Sequence, residues 1–218
     1  NGRPVDSMKV VVGKPDLQTP MMAGFIRSAV VNPYWNVPYD LAQNNIAPNV
    51  LSRGVRYLKA GGYQVLSDWG DEAKVIDPKT IDWKAVRAGE VMVRVRQLPG
   101  GDNFMGKVKF MFPNDQGIYL HDTPDKHLLK EDARQLSSGC VRLEDAERFG
   151  RWLLKGPLPT SKTPEKAVPV PELVPVYITY LTAVPEPGGE IAFHSDPYQR
   201  DGTQLAVAAQ GSARADRP

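Results

Sequence analysis

The chain is expected to be mainly β with helices, an α+β protein, on three observations. Strand-like apolar runs recur at residues 24–31, 91–96 and 107–112, the last two in strict alternation, which is the period of a half-buried strand. Twenty prolines and nineteen glycines punctuate the chain, and such residues mark turns. One strong helical pattern stands out, over residues 143–154. A chain of 218 residues can bury one substantial core, or one core and an appendage. A net charge of +2 with dispersed positive residues gives no case for nucleic acid as a partner. No apolar run approaches the roughly 20 residues that a membrane span needs.

Taken in order, Asn1 and Gly2 form an Asn-Gly pair, the strongest short hairpin signal. Residues 8–12 read as the second arm of that hairpin, so the first arm is expected to have been cut away or built elsewhere. That expectation fails if residues 8–12 are paired on both sides by strands of this chain. No stretch combines a basic start with an apolar middle, so a role outside the cytoplasm implies a processed or excised piece. Residues 24–31 form the next strand, stopped by Asn32 and Pro33.

Residues 32–88 change character. Residues 48–58 carry apolar positions at helical spacing, ended by Gly61 and Gly62. Residues 82–88 suit a second short helix with Asp82 as N-cap. Trp35, Trp69 and Trp83 fall in this region with Tyr34, Tyr39, Tyr57 and Tyr63. They can form a small aromatic satellite core, or a lid of the kind that long insertions in enzymes supply.

The β pattern returns with Val91, Val93 and Val95 on one face, and continues with Val108, Phe110 and Phe112 pointing inward. After a turn at 113–117, residues 118–121 form a strand. Alternation puts Tyr119 and His121 on one face, with Ile118 and Leu120 on the other. Residues 122–136 connect, with His127 facing solvent. The helix at 143–154 turns Ala146, Phe149, Leu153 and Leu154 to one side and should pack the segment behind Cys140 onto the sheet. Residues 156–175 read as an extended proline-rich surface connection. A strand at 176–182 follows, then a short one at 191–194 in which His194 is a bystander, then a frayed tail from Ala206.

Cys140 is the sole cysteine, so it has no intramolecular disulfide partner. Gly139 precedes it, and a missing side chain lets a backbone amide approach a ligand closely. His121 lies nineteen positions earlier, at the end of an apolar strand. A single thiol with a distant histidine is a candidate nucleophile and base. The bland reading is a small buried hydrophobe and a structural imidazole. A thiolate attacking a carbonyl needs donors for the oxyanion; the candidates are the amides around Gly139 and Cys140 and the Tyr119 hydroxyl. Asp122 neighbours His121 but faces the other way, so a backbone carbonyl is the expected third member. No cofactor is expected: the histidines and the cysteine lack zinc-ligand spacing, and no phosphate-binding glycine loop appears.

His121, Ser137, Ser138, Gly139, Cys140, Val141 and Arg142 together resemble the YkuD-type L,D-transpeptidase signature. The departure is Ser138, where many members carry a second histidine. Residues 32–38 and 120–124 look like the larger Gram-negative branch, whose catalytic domain carries an inserted capping subdomain. The resemblance covers most of residues 8–182. It implies a YkuD-like β-sandwich or mixed-sheet core over 1–31 and 89–182, with one helix packed after the nucleophile. It also implies a helical cap at 32–88 and a C-terminal extension at 183–218. Cys140, His121, Gly139 and Tyr119 would be catalytic; Arg142, Ser138, Ser137, Tyr34 and Trp35 would bind substrate, Arg142 by holding a stem carboxylate or by ordering the loop. An exposed Arg142 paired with Glu144 or Asp145 is the bland alternative.

The implied partners are peptidoglycan stem peptides, with carbapenem β-lactams as covalent inhibitors, in the periplasm. The implied reaction makes 3→3 cross-links through a thioester. Three alternatives stay open. One is a carboxypeptidase or cross-link hydrolase using the same pair, and another is a non-catalytic wall-binding module. The third, a papain-like protease, is distant because the histidine precedes the cysteine and no tryptophan follows it.

Overall fold

The computed structural model describes residues 4–186 and 188–202. Its largest element is a mixed sheet of seven strands, built from β1 (Val10–Gly13), β2 (Met22–Val31), β7 (Val108–Met111), β8 (Leu120–His121), β9 (Gln135–Ser137), β10 (Val141–Leu143) and β11 (Lys166–Ile178). Their spatial order is β11-β2-β7-β8-β10-β1-β9. The β8–β10 and β1–β9 pairs are parallel and the others antiparallel. One face is closed by α5 (Ala146–Leu154), whose Ala146 and Leu153 join Ile26, Phe110, Phe112, Ile118 and Leu120 in one buried cluster. Phe149 meets Phe110 edge-on at 4.9 Å, a favoured aromatic geometry. The helix starts where Asp145 accepts a hydrogen bond from the Arg148 amide. It therefore begins three residues later than the periodicity suggests, because Leu143 is claimed by β10.

A second, smaller body carries its own core. β3 (Trp35–Asn36), β4 (Tyr63–Leu66), β5 (Val75–Ile76) and β6 (Arg94–Gln97) form a four-stranded sheet in the order β3-β6-β4-β5. Against it pack α1 (Tyr39–Leu41), a π-helical turn at Ala42–Ile46, α2 (Ala47–Arg53), α3 (Arg56–Ala60) and α4 (Trp83–Ala88). Val50, Leu58, Trp83, Val86, Val93 and Val95 are buried there together. Asp82 caps α4 as its position suggests, accepting from the Lys84 and Ala85 amides. No helix among the described residues is long and apolar enough to cross a membrane.

Four expectations are corrected. The helix over 48–58 is two helices, because Gly54 takes φ +76° and ends α2, a conformation only glycine adopts readily. The alternating segment from Val91 does not join the large sheet: β6 pairs with β3 and β4, so the smaller body's core reaches past residue 88. The proline-rich stretch is no loose connection. β11 runs from Lys166 along β2 for thirteen residues, with a register shift between Pro169 and Val174. Pro169, Pro171 and Pro175 are tolerated because β11 is the outermost strand, where a missing N–H breaks no ladder on the solvent side.

Finally, β1 is flanked by β10 through Val10 and Val11 and by β9 through Val12 and Gly13. With this chain's own strands on both sides, the missing hairpin arm has no place. Asn1 and Gly2, like the tail from Ala206, lie outside the described residues.

Candidate active site

The centre of the large sheet sets up the chemistry. β8 is only two residues long, yet it lies between β7 and β10, with Lys109 and Arg142 directly beside His121 in register. Cross-strand neighbours share a face, so the imidazole sits between two cations. It is 4% exposed. Burial first, then the Arg142 and Lys109 charges, push its pKa down to about 4 from 6.5, although the Asp122 carbonyl and carboxylate pull the other way. At neutral pH the ring is therefore neutral and able to accept a proton.

The tautomer follows from its partner. His121 Nδ1–H donates to the Asp122 backbone carbonyl at 2.5 Å, which leaves Nε2 as the acceptor. The third member is a backbone carbonyl, as the alternation argument required. The Asp122 side chain turns away, accepting from Lys126 Nζ at 2.7 Å and from the Lys107 amide at 2.9 Å.

Cys140 follows a tight turn. Gly139 has φ +112°, a conformation that favours glycine, and a Cβ there would press on Ile118 Cδ1 at 3.3 Å. Ser137 holds the turn from within, taking the Gly139 amide at 3.1 Å and donating to the Cys140 carbonyl at 2.6 Å. Burial raises the thiol pKa, with the Tyr119 amide and Arg142 opposing. The resting thiol donates to the Gly117 carbonyl at 3.8 Å. The thiol and the imidazole thus both rest neutral, the thiol by burial and the ring by burial and its flanking cations.

His121, Ser137, Ser138, Cys140 and Arg142 line one cavity of about 220 Å³. Its opposite wall comes from the smaller body and its return: Trp35, Leu41, Ile46, Tyr57, Tyr63 and Phe104 among others. Trp35 lies against Phe104 with ring centroids 4.7 Å apart. Trp35, Tyr57 and Tyr63 therefore both pack on the smaller core and line the cleft, whereas Trp83 is buried in that core off the cavity and Trp69 is exposed.

Several expectations shift. Tyr34 is not on the lining; its ring lies beneath the Arg96 guanidinium at 4.2 Å and its amide donates to Glu165 at 2.6 Å. The Gly139 amide is taken by Ser137, which leaves the Cys140 amide as the backbone donor for an oxyanion. Tyr119 is half-buried and approaches the sulfur through its amide; burial raises its phenol pKa, helped by Cys140 and Glu165. Its hydroxyl is off the cavity lining. Arg142 pairs with neither Glu144 nor Asp145 but with Asp125, at 3.2 Å. Glu144 instead accepts from the Lys9 amide, and Asp145 caps α5.

Two buried polar residues near the site were missed from the sequence. Lys109 is 6% exposed, pairs with Glu165 at 2.9 Å and reaches over the Tyr119 ring. The hairpin register across the 113–117 turn would have placed it beside His121. Asn103 is also buried, donating to the carbonyls of Pro33, Gln97 and Leu98. It ties together the two crossings between the bodies, a long-range bond with no local signal.

The structure is thus a mixed-sheet domain that presents a thiol and a neutral imidazole to one cleft. Comparison gives the class. The L,D-transpeptidase catalytic domain (YkuD) matches residues 1–178, and the chain belongs to that family. A Haemophilus influenzae protein named "Putative L,D-transpeptidase" is 36% identical over 188 residues, 83% of this chain. The chain spans 37% of that relative's length.

Proposed function

We propose that the protein is a peptidoglycan L,D-transpeptidase that works through a Cys140 thioester. The reading rests on one observation: Cys140, His121 and Arg142 line the same cavity, and the Nδ1–H bond to Asp122 leaves Nε2 of the imidazole as the acceptor.

In this scheme the sulfur attacks the carbonyl carbon of the third residue of a tetrapeptide stem while His121 Nε2 takes its proton. The Cys140 amide stabilises the oxyanion, a contribution typically worth a hundredfold or more in rate. Collapse breaks the C–N bond, and the imidazolium protonates the departing D-alanine amine. A diaminopimelate side-chain amine then attacks the thioester and yields a proton to His121. Thiolate leaves, takes that proton back, and a 3→3 cross-link remains.

Arg142 would hold a stem carboxylate, for which a guanidinium is suited, with Asp125 keeping it in place. Ser137 shapes the turn and the exposed Ser138 borders the entrance. Trp35 and its aromatic neighbours would cover the donor stem, as an inserted cap does in the larger Gram-negative branch. A carbapenem would acylate the same sulfur through its lactam carbonyl. Acting on peptidoglycan stems would require the protein to work in the periplasm.

Mass analysis of muropeptides after incubation with tetrapeptide-bearing sacculi tests this. Dimers joined 3→3, absent with Cys140→Ala, are expected. Shortened stems without dimers would make it a hydrolase, and an unmodified Cys140 after carbapenem treatment would leave only a binding module.

A further inference from the structure

The family match ends at residue 178, yet the chain beyond it returns to the nucleophile. Tyr180 and Tyr198 stack with centroids 5.1 Å apart, and the Arg200 guanidinium lies 5.0 and 5.1 Å from the two rings. Asp196 sets the turn between them, accepting from the Tyr180 hydroxyl and from the Arg200 and Asp201 amides. Arg200 then grips Gln18, donating from Nε at 3.0 Å and from Nη2 at 2.6 Å to its side-chain oxygen. The buried Tyr198 donates its hydroxyl hydrogen to the Gly13 carbonyl at 2.5 Å.

From Gly13 the path leads inward. The Gly13 amide donates to the Thr19 hydroxyl at 2.8 Å, and that hydroxyl donates to the Gly139 carbonyl at 2.7 Å. Thr19 is buried. There is no slack at the joint: a Cβ on Gly13 would sit 2.1 Å from the Leu17 carbonyl oxygen and 2.5 Å from the Thr19 nitrogen. The Gly139 carbonyl and the Cys140 N–H belong to one planar peptide. Holding the carbonyl therefore fixes the direction of the N–H on its other side, the donor left for the oxyanion.

We propose that the Thr19 and Tyr198 hydroxyls are positioning groups for acyl transfer, and that the cluster of Tyr180, Asp196, Tyr198 and Arg200 braces the Gly139–Cys140 peptide through them. This rests on Cys140 being the acylated nucleophile. Neither residue touches the reacting atoms. Their effect passes through one peptide plane, where small misplacement is costly in rate.

The test compares two reactions of the same sulfur in the intact protein. Acylation by a carbapenem passes through an oxyanion, whereas alkylation by iodoacetamide does not. Thr19→Val is expected to slow acylation about ten- to a hundredfold, and Tyr198→Phe about three- to tenfold. Alkylation should stay within about twofold in both, since the thiol itself is untouched. Thr19→Ser, which keeps the hydroxyl, should restore acylation. Tyr198→Phe removes a single oxygen and keeps the stacked ring, so it remains informative if Thr19→Val fails to fold. Unchanged acylation in Tyr198→Phe, or acylation and alkylation falling together, overturns the brace. If the unaltered protein is not acylated at all, the transpeptidase reading falls and the brace with it.

Discussion

The two walls of the cleft are assembled by opposite routes. On the sheet side, His121 and Arg142 line the cavity and Lys109 flanks the imidazole, three residues from three strands brought abreast by register alone. On the other side, Trp35, Leu41, Ile46, Tyr57 and Tyr63 come from nearly consecutive elements around one small core. A slip of one residue in β8 would turn the imidazole to the opposite face. No such all-or-none dependence governs an apolar wall, where several side chains share the contact. The chemistry is therefore held by long-range pairing, and the covering surface by local packing.

That contrast can be broken or sharpened by substitution, the largest effect coming from the sheet. His121→Gln is expected to slow Cys140 acylation about 10²–10⁴-fold, read by mass spectrometry of the carbapenem adduct. It should also flatten one part of the stability profile. The ring titrates near 6.5 when unfolded and at about 4 when folded, so the unfolded chain holds the extra proton between those values. Stability then rises with pH across the window and is lost as pH falls toward 4. Urea melts from pH 4 to 7 should show this slope, and the variant should lack it.

Lys109→Met tests the register pair next. Loss of its charge relieves one of the influences that depress the imidazole, so the acid limb of the acylation profile should move to higher pH. Stability should fall about 1 kcal/mol through the lost Glu165 pair, whose carboxylate keeps the Tyr34 amide. An acid limb that stays put would show that Lys109 is only a strut. On the other wall, Trp35→Ala should raise the carbapenem concentration for half-maximal rate about tenfold while leaving iodoacetamide alkylation unchanged. A loss as large as that of His121→Gln would erase the distinction between the walls. Smallest of all, Asp82→Ala removes the α4 cap, at about 1 kcal/mol in melting experiments, with no change in acylation.

Local signals carried much of this into the sequence. The thiol, its glycine and the upstream histidine stand in one string, and Asp82 announces its helix. Val108, Phe110 and Phe112 show their inward face by alternation and are buried. What local pattern could not convey was partnership across distance. Lys109 looks like an exposed strand lysine until it is paired with β8. β6 alternates like a strand of the main sheet, but alternation does not say which sheet. Prolines read as a connector because the outer position of β11 is decided by β2, more than a hundred residues earlier. The neutral resting state of the thiol and imidazole was equally out of reach, because burial sets it.

The prolines of β11 have one more consequence. An open sheet margin invites other chains to add to it, and proline is among the devices that discourage such recruitment. Here Pro169, Pro171 and Pro175, with the break in register between them, blunt one margin of the large sheet, while the three-residue β9 keeps the other too short to serve as a template. The same residues that disguise β11 in the sequence would thus guard the protein against self-assembly into fibres.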